Sequence, residues 1–167
     1  LVNRYIARRR PDGAWEVAFG SLTARRDTFL VHYRAASAPD EAPHRFRGEV
    51  LHRPESDTGY YARAARAIEL AARDFGPATR RYNAAALPTP DGAWWVYLMP
   101  AQVQVGVYPL GGDARYTISA DGNAIVVKRR LHNAVLEYDA RAAAPPAGQS
   151  VAAGTHSAIL ADVPEDT

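Results

Sequence analysis

The sequence predicts an α+β domain: a mostly antiparallel, twisted sheet built from several hairpins, with one main helix over about residues 59–75 packed on it. Three observations predict it. Asp-Gly pairs punctuate runs of alternating polar and apolar residues, and Asp-Gly between two such runs is a strong hairpin signal. A single stretch, 59–75, carries apolar residues at three- and four-residue steps. The remaining apolar runs are short and rich in Val, Ile, Tyr and Trp, as strands are. Hydrophobic residues make up 47% of the 167 and charged residues 23%, a balance that supports a packed core.

The hairpin at 115–136 is the clearest element. With Asp121 and Gly122 as a two-residue turn, both at φ > 0, Ile118 faces Ile125 and Tyr116 faces Val127 on an apolar face. Thr117 then lies opposite Val126 and Arg115 opposite Lys128 on a mostly polar face, with Asp113 in reach of Arg130. One register satisfies both strands.

Taken in order, residues 1–10 alternate loosely and end at Arg8-Arg9-Arg10. Pro11-Asp12-Gly13 is a second hairpin signal. Trp15, Val17 and Phe19 alternate with Glu16 and Ala18 in a half-buried strand, and Arg25-Arg26-Asp27 is a polar turn. Phe29, Val31 and Tyr33 mark the next strand. A loop rich in Ala and Pro covers 35–43, and a weaker strand covers 45–52. The first fifty residues thus read as an antiparallel meander.

Ser56-Asp57-Thr58 supplies helix-capping side chains. In the helix, Tyr61, Ala64, Ile68, Ala71 and Phe75 form the apolar stripe, and Gly76-Pro77 stops it. Residues 82–87 form a strand of small side chains. The run 94–99 is apolar at every position, so it reads as a central strand covered on both faces. A short strand is expected over 102–108, and a flexible loop over 109–113 leads to the hairpin. Its second strand is expected to run on past His132 to Tyr138. Residues 141–148 form a low-complexity linker, followed by a strand over 151–160 and an acidic tail, all within a single domain spanning 1–167.

The pentapeptide Pro-Asp-Gly-Ala-Trp occurs at 11–15 and at 90–94. The flanking residues do not match, which favours one turn chemistry used twice over duplication.

Several function classes are excluded or disfavoured. There is no cysteine, hence no disulfide, thiolate metal site or cysteine nucleophile. No apolar run reaches the length of about 18 residues that a membrane helix needs. The formal charge is only +2, from 20 cations against 18 acids, which disfavours nucleic acid despite arginine clusters. Lys128 is the single lysine, and arginine and alanine abound, a usage expected of a GC-rich bacterial genome. A chain beginning at Leu1 rather than methionine is what removal of a signal peptide leaves, and equally what trimming of a cytoplasmic chain leaves. On the first of these grounds a periplasmic or secreted location is expected.

No histidine falls in a tight ligand spacing, no Gly-x-Ser-x-Gly is present, and Gly111-Gly112 is too short to cradle phosphate. The leading expectation is a non-catalytic, exported or envelope-associated binding domain without a cofactor. Its partner is a protein or a small molecule. Trp94, Trp95, Tyr97, Arg115 and Arg130 are the candidate ligand-binding residues, the aromatic side chains as the lining of a groove, although on a strand apolar on both faces such rings are more often core. The alternative is a metal-dependent hydrolase holding zinc through His132, His156 and Asp162.

Overall fold

The structure, a computed structural model, describes residues 4–39 and 45–141. The expected α+β architecture is present, with antiparallel sheets and a single helix among the described residues. Strands β1 (Arg4–Arg9), β2 (Trp15–Leu22), β3 (Phe29–Ala36) and β4 (Arg47–Asp57) form a first four-stranded sheet in chain order. Helix α1 (Tyr60–Phe75) follows. Strands β5 (Tyr82–Pro88), β6 (Trp94–Pro100), β8 (Ala114–Ile118) and β9 (Ile125–Arg130) form a second sheet in that order. Strands β7 (Val107–Gly111) and β10 (Val135–Asp139) pair as a separate ribbon.

The helix packs on strands of both sheets, and β1 lies beside β5 without backbone hydrogen bonds between them. Its buried face is Tyr61, Ile68 and the alanines at 62, 64, 65, 67 and 71. Small side chains there allow both sheets to come close. Ile6, Ala18, Phe29 and Val31 meet this face from the first sheet. Trp94, Val96, Leu98, Tyr116 and Ile118 meet it from the second, so the core is one cluster. Fully burying a side chain such as Phe29 or Ile118 is worth about 1.5–3 kcal/mol.

Asp57, at the end of β4, supplies the expected cap: its Oδ1 accepts from the Ala62 amide at 3.1 Å. Gly76, at φ 83°, ends the helix and donates its amide to the Ala72 carbonyl.

The 115–136 hairpin forms, with a corrected register. Ile118 pairs with Ile125 as expected, but Thr117 pairs with Val127, Tyr116 with Lys128 and Arg115 with Arg129. A bulge leaves Val126 as the extra residue. The turn is longer than two residues. Gly122 donates to the Ser119 carbonyl and Ser119 to the Ala124 carbonyl, each at 2.8 Å. Gly122 takes positive φ, whereas Asp121 does not. Lys128 therefore faces Tyr116 and pairs with Asp74 at 2.7 Å, while Val127 turns away from the core.

The same loop design recurs. Gly13 donates to the Arg10 carbonyl, Gly92 to that of Thr89, and Arg26 to that of Thr23. Arg26, at φ 62°, stands where the other three turns have glycine. The repeated Pro-Asp-Gly-Ala-Trp peptides open β2 and β6, yet Trp94 enters the core while Trp15 sits on the face opposite Glu16 and the helix. Duplicated half-sheets sharing one core would not invert the tryptophan.

Three other boundaries and the covering of one strand differ from expectation. The strand expected over 45–52 runs to Asp57, because β4 is an edge strand and tolerates Pro54 there. The strand expected at 102–108 lies instead at Val107–Gly111, overlapping the expected strand at its first two residues and running into the expected loop. The second hairpin strand does not continue to Tyr138. It stops at Arg130, where Leu131 buries itself and donates to the Asp113 carbonyl, and β10 turns off to pair with β7. Finally, β6 is central but covered on one face only. The linker beyond Arg141, the strand expected at 151–160 and the acidic tail lie outside the described residues.

Candidate binding surface on the second sheet

Period two sends alternate residues of β6 to opposite faces. Trp94, Val96 and Leu98 go to the core, and Trp95, Tyr97 and Met99 go to the open face. The register completes that face. Leu87, Trp95, Thr117 and Val127 form one row across the four strands, and Ala85, Tyr97, Arg115 and Arg129 form the next. Trp95 is 36% exposed, Met99 39%, Leu87 40% and Val127 46%. The Arg115 guanidinium stacks over the Trp95 ring at 5.4 Å. No Asp or Glu occurs in β5, β6, β8 or β9. The face is therefore apolar and aromatic, with a cationic margin and no carboxylate from its own strands.

Three of the five candidate ligand-binding residues, Trp95, Tyr97 and Arg115, come together here. The other two do not join them. Trp94 is 3% exposed, packs edge-on against Tyr60 and donates its Nε1–H to the Ala120 carbonyl, so it is a core residue. Arg130 pairs with Ala114 in register and lies over the Phe75 ring at 5.3 Å, near the C-terminal end of the helix. One residue of displacement along a strand reverses the face, and this sorted the neighbours.

Of the alternative zinc ligands, only His132 lies among the described residues; His156 and Asp162 lie outside them. His132 holds Asp113 through Nδ1 and Oδ1 at 2.6 Å. That is how a carboxylate orients an imidazole. Among the described residues no three His, Cys, Asp or Glu side chains are grouped to hold a metal ion.

Sequence reasoning missed a buried polar cluster under the helix start. Glu16, 8% exposed, accepts from the Tyr61 hydroxyl and from Arg8 Nη2 at 3.1 Å, with Arg34 Nε at 3.6 Å. Arg34 also pairs with Glu55 at 2.7 Å. Burial first, and then the Glu16 carboxylate, push the Tyr61 hydroxyl well above its usual range. Burial raises Tyr60 as well. The alternation of Glu16 with Trp15 and Val17 suggested a solvent-facing carboxylate. The structure puts Glu16 and Ala18 inward, because arginines of β1 and β3 neutralise the charge there.

A second exposed apolar patch lies on the ribbon, where Tyr108 pairs with Tyr138 and Leu110 with Leu136. Among the described residues no helix is long and apolar enough to cross a membrane. Comparison of the chain with family models, curated proteins and solved structures finds no match.

Proposed function

We propose that this chain is a non-catalytic binding module that recognises a protein partner through the open face of the β5-β6-β8-β9 sheet. The observation that carries this reading is the Trp95–Arg115 stack, set among Tyr97, Met99 and Leu87 on four strands that bear no carboxylate. Trp, Tyr, Arg and Met are the side chains enriched at protein interfaces, and a few such residues carry most of the binding energy. Arg115 and Arg129 at the margin select a partner whose matching surface is apolar at its centre and acidic at its rim.

The test uses matched baits: the wild-type chain, Trp95→Ala, Arg115→Glu, and Arg53→Glu on the exposed edge strand β4 as a control. A protein captured by the wild type and the control, but lost from both face variants, is then purified and titrated directly. Trp95→Ala is expected to weaken that affinity at least 30-fold, on the order of 2 kcal/mol. Arg115→Glu is expected to weaken it further at low salt than at high salt. Equal affinity for all four chains would overturn the proposal.

A further inference from the structure

We propose that the cleft between helix α1 and the β2–β3 and β8–β9 turns is a binding site for a small sugar phosphate. None of the open-face residues of the second sheet lines it. The cleft measures about 550 Å³, within the range for ligand cavities of about 300–1,000 Å³.

Its walls are fixed before any ligand arrives. Arg66 holds both turns, donating to the Asp121 carbonyl from Nε and Nη2 and to the Arg26 carbonyl from Nη1. Arg26 in turn pairs with Glu69 at 3.2 Å. Arg26 is the one non-glycine residue at positive φ among the described residues, at a turn position where the three sibling turns have glycine. Residues in that conformation persist only where surrounding contacts hold them, and they gather at ligand clamps. A cleft held in shape loses less freedom when a ligand enters.

Two cations are left for a ligand. Arg25, in the β2–β3 turn, and Arg73, in the last turn of the helix, both line the cleft and are exposed. Neither makes a hydrogen bond or an ion pair with a described residue, and Arg25 feels Asp27 only through space. Asp27 is the one carboxylate in the lining, and its Oδ1 accepts from the Thr23 and Thr28 hydroxyls at 2.9 and 3.0 Å. Asp121 turns its carboxylate to Ser119 and Asn123 and does not line the cleft. Glu69 cancels Arg26, and Asp27 offsets one of the other three arginines, so two positive charges remain. The nearby helix end carries about half a negative charge, which those two outweigh. The excess selects an anion, and planar guanidinium forks suit phosphoryl oxygens. No aromatic ring lines the cleft, so a nucleobase has nothing to stack on. Leu70 is the single apolar side chain there, while Asp27 and Asn123 carry oxygens that accept from hydroxyl groups. A phosphate on a hydroxylated body therefore fits better than bare phosphate or a nucleotide.

The probe is glucose 6-phosphate, titrated by calorimetry into the full chain in a phosphate-free buffer of low ionic strength. Glucose, inorganic phosphate and adenosine monophosphate are run in parallel. Saturable binding of glucose 6-phosphate is expected, about tenfold tighter than either other anion and weakened by added salt, with no heat from glucose. Arg25→Gln and Arg73→Gln should each weaken it about tenfold. Arg53→Gln, on the edge strand β4, should leave it unchanged. Arg25 and Arg73 lack partners to lose, so both variants should keep the wild-type melting point. Should either glutamine variant fail to fold, the lysine variant, which keeps the charge but not the planar fork, takes its place. Glucose 6-phosphate bound no tighter than inorganic phosphate, no saturable binding at millimolar probe, an equal loss from Arg53→Gln, or undiminished binding by the folded Arg25 and Arg73 variants would each overturn the proposal.

Discussion

Replacing Gly122 by alanine tests how the β8–β9 turn is fixed to the molecule. Gly122 sits at φ 80° and is buried against the helix. A Cβ there would lie 2.5 Å from the Arg63 carbonyl oxygen and 3.2 Å from the Ala67 amide nitrogen, both helix backbone atoms that cannot step aside. Gly92 occupies the same place in the β5–β6 turn, at φ 86°, with nothing within 4 Å of its Cβ position. The two substitutions share the left-handed penalty, about 1 kcal/mol. Only Gly122→Ala adds a clash with packed backbone, about 1–3 kcal/mol. A total near 3 kcal/mol lowers Tm by about 6–12 °C in a chain of this size, against about 2–4 °C for Gly92→Ala. Arg66 completes the attachment. It donates to the Asp121 carbonyl from Nε at 3.0 Å and Nη2 at 2.8 Å, and to the Arg26 carbonyl from Nη1 at 2.9 Å. The losses from Gly122→Ala and Arg66→Ala should therefore be less than additive, since both free the same turn. Urea denaturation of these three variants and of the Gly122→Ala/Arg66→Ala double variant gives all the terms. Gly122→Ala and Gly92→Ala agreeing within about 0.5 kcal/mol would refute the docking of this turn on the helix.

Three further predictions rest on the charged groups. Glu16→Leu strands the Tyr61 hydroxyl and two arginines; because Arg8 and Arg34 side chains remain 38% and 26% exposed, the loss should be about 2–3 kcal/mol rather than the larger value for a sealed site. Chemical denaturation measures it, and adding Arg8→Met should recover part of the loss. The Tyr61 hydroxyl is raised above its unfolded value, so its contribution is complete below about pH 10 and is lost as pH climbs past that point. Stability followed from pH 9 to 12 should fall, and Tyr61→Phe should flatten the fall. The Asp121 carboxyl is drawn down to about 2 by the Ser119 hydroxyl and then Asn123. Its contribution is present above the unfolded value of about 4 and disappears as pH drops toward 2. Asp121→Asn should lessen acid destabilisation in that window, read from melting curves.

How much was legible follows from what each element needs. The helix and the strands with two-residue alternation were readable because one buried face leaves a period in the sequence. The Asp-Gly turns were readable as turns, but neither their length nor the bulge that follows Ile125 leaves a mark in the residue types. Beyond the turn, the bulge at Val126 moved Val127 outward and brought Lys128 over Tyr116. The run at 94–99 gave no phase, being apolar throughout, so its open face was invisible and Trp94 and Trp95 looked alike. Arg130 was grouped with Arg115 from an assumed register that the bulge shifted. The Glu16 cluster joins residues far apart in the chain, Arg8 and Glu16 with Tyr61. Only tertiary structure brings such pairs together.

The absence of backbone bonds between β1 and β5 makes the molecule two leaves on one spine. The methyl groups of Ala64, Ala67 and Ala71 act as the spacer that sets how near each leaf lies to that spine. Enlarging any one of them crowds the single core that both leaves share. The tilt of one half of the protein against the other is thus governed by the smallest side chains in its interior.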